Sequence, residues 1–120
     1  MESSSSSTSL PLCNVYNALT VNVEHQKLQA DKNISGEVTT GATDLGENAQ
    51  LTTGIWEHSV GISIDIEADE VFVIISGKGR IYVNDQVLEL YPGAVGTLSA
   101  GAKTRWEIDE TIRKVYVFPR

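Results

Sequence analysis

The sequence predicts a single all-β domain, and three observations carry that prediction. The second half of the chain is a series of short runs rich in Val, Ile, Thr and Tyr: "QLTTGIWEHS", "GISIDIE", "EVFVIISG", "GRIYVNDQVLEL", "AVGTLSAG", "KTRWEI" and "TIRKVYVF". Such residues favour a pleated, half-buried surface, and their regular spacing between Gly, Pro, Asn and Asp suggests a sandwich or barrel. No window of a dozen residues keeps a 3.6-residue apolar period, so no amphipathic helix is expected. At 120 residues the chain can bury one compact core but not two.

Taken in order, the start "MESSSSSTSL" has Ser or Thr at seven of its first nine positions. Such a composition cannot bury enough apolar surface to offset ordering, so residues 1–13 are expected to form a disordered tail ahead of a domain at 14–120. Residues 14–31 mix β-branched residues with weak alternation and suggest a strand and a short turn. "NISGEVTTGATDLGENAQ" is dense in Gly, Thr, Asn and Asp and reads as extended loop and turns. Further on, Asn84-Asp85 fits a two-residue hairpin turn, because both residues tolerate positive φ. Pro92-Gly93 fits the centre of a type II turn.

Composition excludes several functions. Sixteen acidic residues against nine basic ones give a net charge of −7. Nucleic acid is not an expected partner, since its binding needs a basic face to displace counterions. An anionic membrane surface is disfavoured for the same reason, and no apolar run approaches the length of a membrane-spanning helix. Cys13 is the sole cysteine, which rules out an intrachain disulfide and a Cys-based zinc site. The N-terminus lacks the basic segment and apolar core of a secretory signal, so the expected location is cytoplasmic. There is no Gly-x-Ser-x-Gly, no phosphate-cradling glycine loop and no suggestive Cys–His spacing.

Two spacings become informative together. Glu70 precedes Gly77 in "EVFVIISG", and in "YPGAVGTLSAGAKTRW" Gly93 is followed eight residues on by Gly101. This pair of segments resembles the two motif segments of the cupins, small jelly-roll β-barrels (the RmlC-like fold). "GIWEHSVG", "EVFVIISGKG", "YPGAVGTL" and "RWEIDETIRKVYVF" together resemble the one-domain cupins grouped with the ureidoglycine aminohydrolase cupin domain, to which ethanolamine-utilisation cupins are related. The resemblance spans roughly 41–119, and its most specific part is the closing Trp-Glu-x-x-Glu-x-x-Arg-Lys-x-Tyr run, Trp106 to Tyr116.

The departures are equally informative. With Glu70 at the family glutamate, the His-x-His pair falls on Ile64 and Ile66, or on Ser63 and Asp65. The third His falls on Thr104, and Pro-Gly-Asp becomes Pro92-Gly93-Ala94. The three-His metal site of metal-dependent cupins is therefore absent. No metal ligands are assigned, any other cofactor is unknown, and the metal-dependent activity of ureidoglycine aminohydrolase is not expected. Many members of this group also lack the triad, so the fold expectation stands.

Within that frame Glu70 is the first candidate for catalysis. The resemblance implies that it points into the barrel, where desolvation raises its pKa or a charged partner must offset it. Asp65, Glu67 and Asp69, crowded beside it, read as solvated loop acids. His58 is an acid–base group or a metal ligand, or else an exposed loop residue; His25, outside the matched region, reads as structural or surface. Trp56 and Trp106 are expected to close the core or wall the pocket. Arg80 and Tyr82 share one face of their strand; if it lines the interior, Arg80 suits a carboxylate ligand, and otherwise it lies on the outer sheet. Lys114 and Tyr116 share a face and form the better pocket pair, with a Lys114–Glu70 salt bridge as the alternative to catalysis. Thr104 completes the ligand-binding candidates.

Two functions follow as expectations. One is a cupin binding a small polar or carboxylate metabolite, acting as a metal-independent or atypical-metal enzyme. The other is a non-catalytic module, a ligand sensor or assembly partner, that keeps the barrel. The resemblance also implies a homodimer formed by pairing strands or sheets. The pocket discriminates: convergent polar groups around Glu70 favour binding, and an apolar interior favours the structural role.

Overall fold

A computed structural model describes residues 13–120. The expected tail lies outside the described residues except for Cys13, which is exposed. The strands are β1 (Gln26–Lys27), β2 (Asn33–Ser35), β3 (Thr39–Glu47), β4 (Leu51–His58), β5 (Gly61–Ile66), β6 (Glu70–Val83), β7 (Gln86–Leu90), β8 (Val95–Leu98) and β9 (Lys103–Pro119). Among the described residues there is no helix, and hence none long and apolar enough to cross a membrane.

Two long antiparallel strands organise the sheet. β9 pairs with β6 along most of its length. On its other edge β9 pairs first with β5, through Lys103–Ile108, and then with β4, through Ile112–Pro119. β3 and β1 extend the sheet beyond β4, β2 extends it beyond β5, and β7 and β8 pair with opposite ends of β6. The sheet curls into a half-barrel around one interior face. The runs read as separate segments join because β6 and β9 bend where the register between them shifts, between Ile74 and Gly79. Gly77 sits at that bend with φ of 93°. A side chain there would collide with the Thr111 carbonyl, 2.1 Å from the Cβ position, so only glycine allows this approach.

Alternation decides what fills the interior. Along β6 the buried residues are Glu70, Phe72 and Ile74, and after the shift Gly79, Ile81 and Val83. With Leu90, Leu98, Trp106, Ile108 and Ile112 the apolar ones among them form most of the core. Burying each such side chain contributes about 1.5–3 kcal/mol relative to exposure. Arg80 and Tyr82 occupy the intervening positions and therefore point outward.

Both expected turns are present. Asn84 has φ of 54° between the paired Val83 and Gln86. Ala94 N donates to the Tyr91 carbonyl at 2.9 Å, with Gly93 at φ of 95°. The Gly- and Thr-rich stretch, by contrast, is not loop: it forms β2 and the nine-residue β3. Its composition reflects what lies on it. Residues 14–27 form a turn at Asn17–Val21 and the short β1, and otherwise run as a strap across the outer face of β3, β4 and β9. Gly41 lacks the Cβ that would meet the Glu24 carbonyl at 2.1 Å, and Thr43 donates to the Asn22 carbonyl at 2.7 Å. Arg113 fastens the strap from β9, donating to the carbonyls of Ala18 and Val21 and pairing with Glu57 at 2.8 Å. Strap and ladder together override the turn propensity of this composition.

Candidate functional site

At one end of the half-barrel lies a cavity of about 470 Å³. β4 supplies Trp56 and His58 to its wall, β5 supplies Ser63, and β9 supplies Trp106 and Lys114; Glu67 and Glu70 come from the β5–β6 connection and the start of β6. Period-2 alternation explains the set. Trp56 and His58 share one face of β4, and Ser63, Asp65 and Glu67 follow in phase along β5 and out of it.

The centre is an ion pair. Lys114 Nζ lies 2.6 Å from Glu70 Oε2, with the side chains only 5% and 3% exposed. At this distance the contact is a charge-assisted hydrogen bond as well as an ion pair. Three rings surround the ammonium, with centroids 4.3 Å (Trp56), 4.9 Å (Trp106) and 5.0 Å (Phe72) away. Desolvation pushes the Glu70 carboxyl up and the Lys114 ammonium down, and each partner opposes the shift of the other. The salt-bridge alternative for Lys114 is the observed arrangement.

Glu67 is not a solvated loop acid. Its Oε2 accepts from Thr104 Oγ1 at 2.6 Å and from the Trp106 indole at 3.0 Å. Thr104 thus holds Glu67 in place and does not itself line the cavity. Asp65 stands at the mouth, paired with Lys32 at 3.2 Å and half exposed. Asp69 faces away and accepts from the Ala100 amide at 2.8 Å.

His58 is no exposed loop residue: it is 1% exposed. Its Nδ1 is 2.6 Å from the Ser59 carbonyl, which can only accept, so Nδ1 carries the proton and Nε2 accepts from Ser63 Oγ at 2.8 Å. Burial, partly opposed by backbone hydrogen bonds, lowers its pKa, and the nearby Lys114 charge adds to the lowering. Sequence reasoning missed Ser63 as a partner of His58, although the in-phase Ser63-x-Asp65-x-Glu67 spacing was visible.

The remaining candidates lie elsewhere. Arg80 is on the outer face, held by both oxygens of Asp109 at 2.9 and 3.2 Å and by Glu107 at 3.5 Å. Tyr82, also outward, is 36% exposed. Neither reaches the cavity, because the bend in β6 keeps their parity outside. Tyr116 does share the inner face with Lys114, but its hydroxyl donates to Asp44 and its ring packs on Phe118, with centroids 4.9 Å apart. Burial and Asp44 raise its pKa. His25 bridges Thr39 and Glu57 on the strap side.

The residues do not fit the metal of metal-dependent cupins. Of the two alignments, the one on Ser63 and Asp65 puts the buried Ser63 inside and Asp65 at the mouth; Ile64 and Ile66 are exposed. Serine and threonine at the His positions are poor ligands for first-row metals, and the glutamate is already neutralised by an ammonium. Among the described residues no three His, Cys, Asp or Glu side chains are grouped to hold a metal ion.

A helix-free curled sheet with polar groups converging at one end of its interior is the architecture of a cupin. The chain belongs to the EutQ-like cupin domain family, whose profile matches residues 45–116, more than half of the sequence. Solved structures agree on the fold. EutQ of Clostridium difficile superposes with a TM-score of 0.62 at 19% identity, covering 78% of this chain and 80% of that one. The Cnp3 cupin domain of Schizosaccharomyces pombe gives 0.64 at 17%, covering 86% and 71%. Ectoine synthase from P. lautus gives 0.61 at 16%, covering 78% and 67%. No match is found among curated protein sequences.

Proposed function

We propose that this cupin binds a small polar metabolite in the cavity beside Glu70 and Lys114, and that it does so without a metal. One observation carries the reading: the nearly buried Glu70–Lys114 pair, packed among aromatic rings, borders a cavity whose wall also holds His58, Ser63, Asp65 and Glu67. A buried ion pair is weak support for stability alone, whereas convergent polar groups in a concave site are what a ligand site requires. Burial pushes the Glu70 carboxyl up, which favours its holding a proton, and His58, neutral and oriented by Ser59, can accept one.

Within the cupins, the closing run from Trp106 to Tyr116 supports a place beside the ureidoglycine aminohydrolase cupin-domain branch. A homodimer belongs to the same reading. It is supported by β7 and β8, each of which pairs only with β6 among the described residues and so leaves one edge open. Light scattering should give twice the 13.0 kDa chain mass.

The test of function is elemental analysis of untagged protein, followed by a screen of small polar metabolites for shifts in melting temperature. The expected result is no stoichiometric metal and at least one stabilising compound whose effect disappears in Glu70→Gln. Stoichiometric metal lost in that variant contradicts the metal-free site. A screen in which nothing stabilises the protein favours the non-catalytic module.

A further inference from the structure

The cavity wall carries an imbalance of charge. Asp65, Glu67 and Glu70 contribute three carboxylates, and Lys32 and Lys114 two ammonium groups. His58 adds no charge, since its Nδ1 donates to Ser59 and its Nε2 accepts from Ser63. Both ammonium groups are already engaged, Lys114 by Glu70 at 2.6 Å and Lys32 by Asp65 at 3.2 Å. An incoming carboxylate would find no unpaired cation to neutralise it.

An acceptor, by contrast, is left over. Both hydrogen bonds made to the Glu67 carboxylate, from Thr104 and Trp106, end on Oε2. They fix the carboxylate in the wall and leave Oε1 without a partner among the described residues. Glu70 lines the same cavity, but its Oε2 is already held by Lys114 at 2.6 Å. A ligand N–H can therefore form a charge-assisted hydrogen bond to the remaining oxygen of Glu67. Glu67 and Glu70 also repel each other: the charge of Glu67 adds to the forces that push the Glu70 carboxyl up. A positive ligand relieves that repulsion. Trp56 and Trp106, with centroids 5.2 Å apart, wall the same space, with the Lys114 ammonium already lying over both rings.

We infer that the group anchoring the ligand is an N–H-rich cation, an amine, amidine or guanidine on a small polar molecule, seated against Glu67 beside the Trp56 and Trp106 rings. This rests on the cavity being a binding site, as proposed above. It sets aside the carboxylate ligand that an inward Arg80 would have suited, because Arg80 lies on the outer face with its own acids.

The experiment is an NMR titration of the full chain with three probes of similar shape: methylguanidinium, methylurea and propionate. The protein has only two tryptophans. The indole N–H of Trp106, which donates to Glu67, is therefore a resolved reporter of occupancy at this carboxylate. The expected result is a shift of the Trp106 indole signal by methylguanidinium, with an affinity about tenfold above methylurea, the scale of a charge-assisted hydrogen bond, and no saturable shift by propionate. In Glu67→Gln the advantage of the cation over methylurea should vanish. The order of the three probes on wild-type protein decides the matter even if that variant does not fold. Propionate or methylurea binding as tightly as methylguanidinium overturns the inference and leaves the binding site standing. Equal methylguanidinium affinity in wild type and folded Glu67→Gln also overturns it. No saturable shift with any probe overturns the inference, and only the metabolite screen then decides whether the cavity binds at all.

Discussion

The two ends of this half-barrel are built from the same strands and filled in opposite ways. Around the middle of β6 and β9 the interior is Ile74, Ile81, Ile108 and Ile112, with Leu90 from β7, and Phe72 and Leu98 border the polar region beside Lys114 and Glu70. At the other end β9 contributes Thr104 and Lys114, and β6 contributes Glu70, all buried. Trp106 belongs to both regions, being 3% exposed in the core while its indole N–H reaches Glu67. Strand alternation alone therefore does not make an interior apolar. It places side chains inside, and their chemistry then decides whether the region adds stability or costs it. The apolar end is cohesive. The polar end holds a desolvated ion pair and a buried histidine that must stay neutral, and such features are retained where they serve something other than stability.

The largest effect should come from breaking the pair on one side. Lys114→Met leaves the Glu70 carboxylate buried without its cation and is expected to cost about 3–5 kcal/mol. The double variant Glu70→Leu/Lys114→Met should recover most of that loss or exceed the wild type, because neither desolvated charge remains. Urea unfolding of the three proteins measures both. A double variant as unstable as Lys114→Met contradicts the view that the polar end is a stability cost.

The counterpart at the apolar end is Ile81→Ala. Ile81 is fully buried, and removing its side chain leaves a cavity worth about 2–5 kcal/mol. Binding of methylguanidinium, extrapolated to the folded fraction, should be unchanged. If it weakens in step with stability, the two ends are not separable and the comparison fails.

A third, smaller effect is pH-dependent and sits in His58. Burial holds its folded pKa below the ordinary 6.5. Above that value the imidazole is neutral in both folded and unfolded chains and stability does not depend on it. As pH falls below 6.5 the unfolded chain takes up a proton that the folded one resists, so folding stability is lost on acidification. The loss approaches about 1.4 kcal/mol per pH unit until the folded pKa is reached. Unfolding free energies at pH 7.5 and pH 5.5 for wild type and His58→Gln isolate this slope; equal slopes in the two proteins refute it.

The fold was legible because its signals are local and repeated: β-branched runs, a two-residue turn at Asn84-Asp85 and the Pro92-Gly93 turn. The site was legible only where the strand phase could be carried through without interruption. Lys114 lies on a regular part of β9, so alternation placed it on a face with Tyr116, whereas the inward placement of Glu70 was implied by the cupin resemblance. Arg80 and Tyr82 lie beyond the bend at Gly77, where a register shift invisible in the sequence moves their parity to the outer face. Glu67 was hidden in another way. It stands past the end of β5 among acids that resemble a solvated loop, and only the donors Thr104 and Trp106, distant in the chain, turn it inward. β3 was misread because its glycine and threonine content answers to the strap above it, a contact between residues about twenty positions apart.

The smallest expected effect is also the sharpest check on where the interior ends. Arg80 is bound to Asp109 and Glu107 across the outer surface of β6 and β9, where solvent screens the charges and side-chain ordering offsets their attraction. Arg80→Ala should therefore leave the melting temperature unchanged within measurement error, and the methylguanidinium titration unchanged as well. A site that used Arg80 for a carboxylate ligand would instead lose binding with this one substitution. Equal titrations in wild type and Arg80→Ala, set beside their divergence in Glu67→Gln, place ligand recognition on the inner face of the sheet and assign the outer charges to the surface alone.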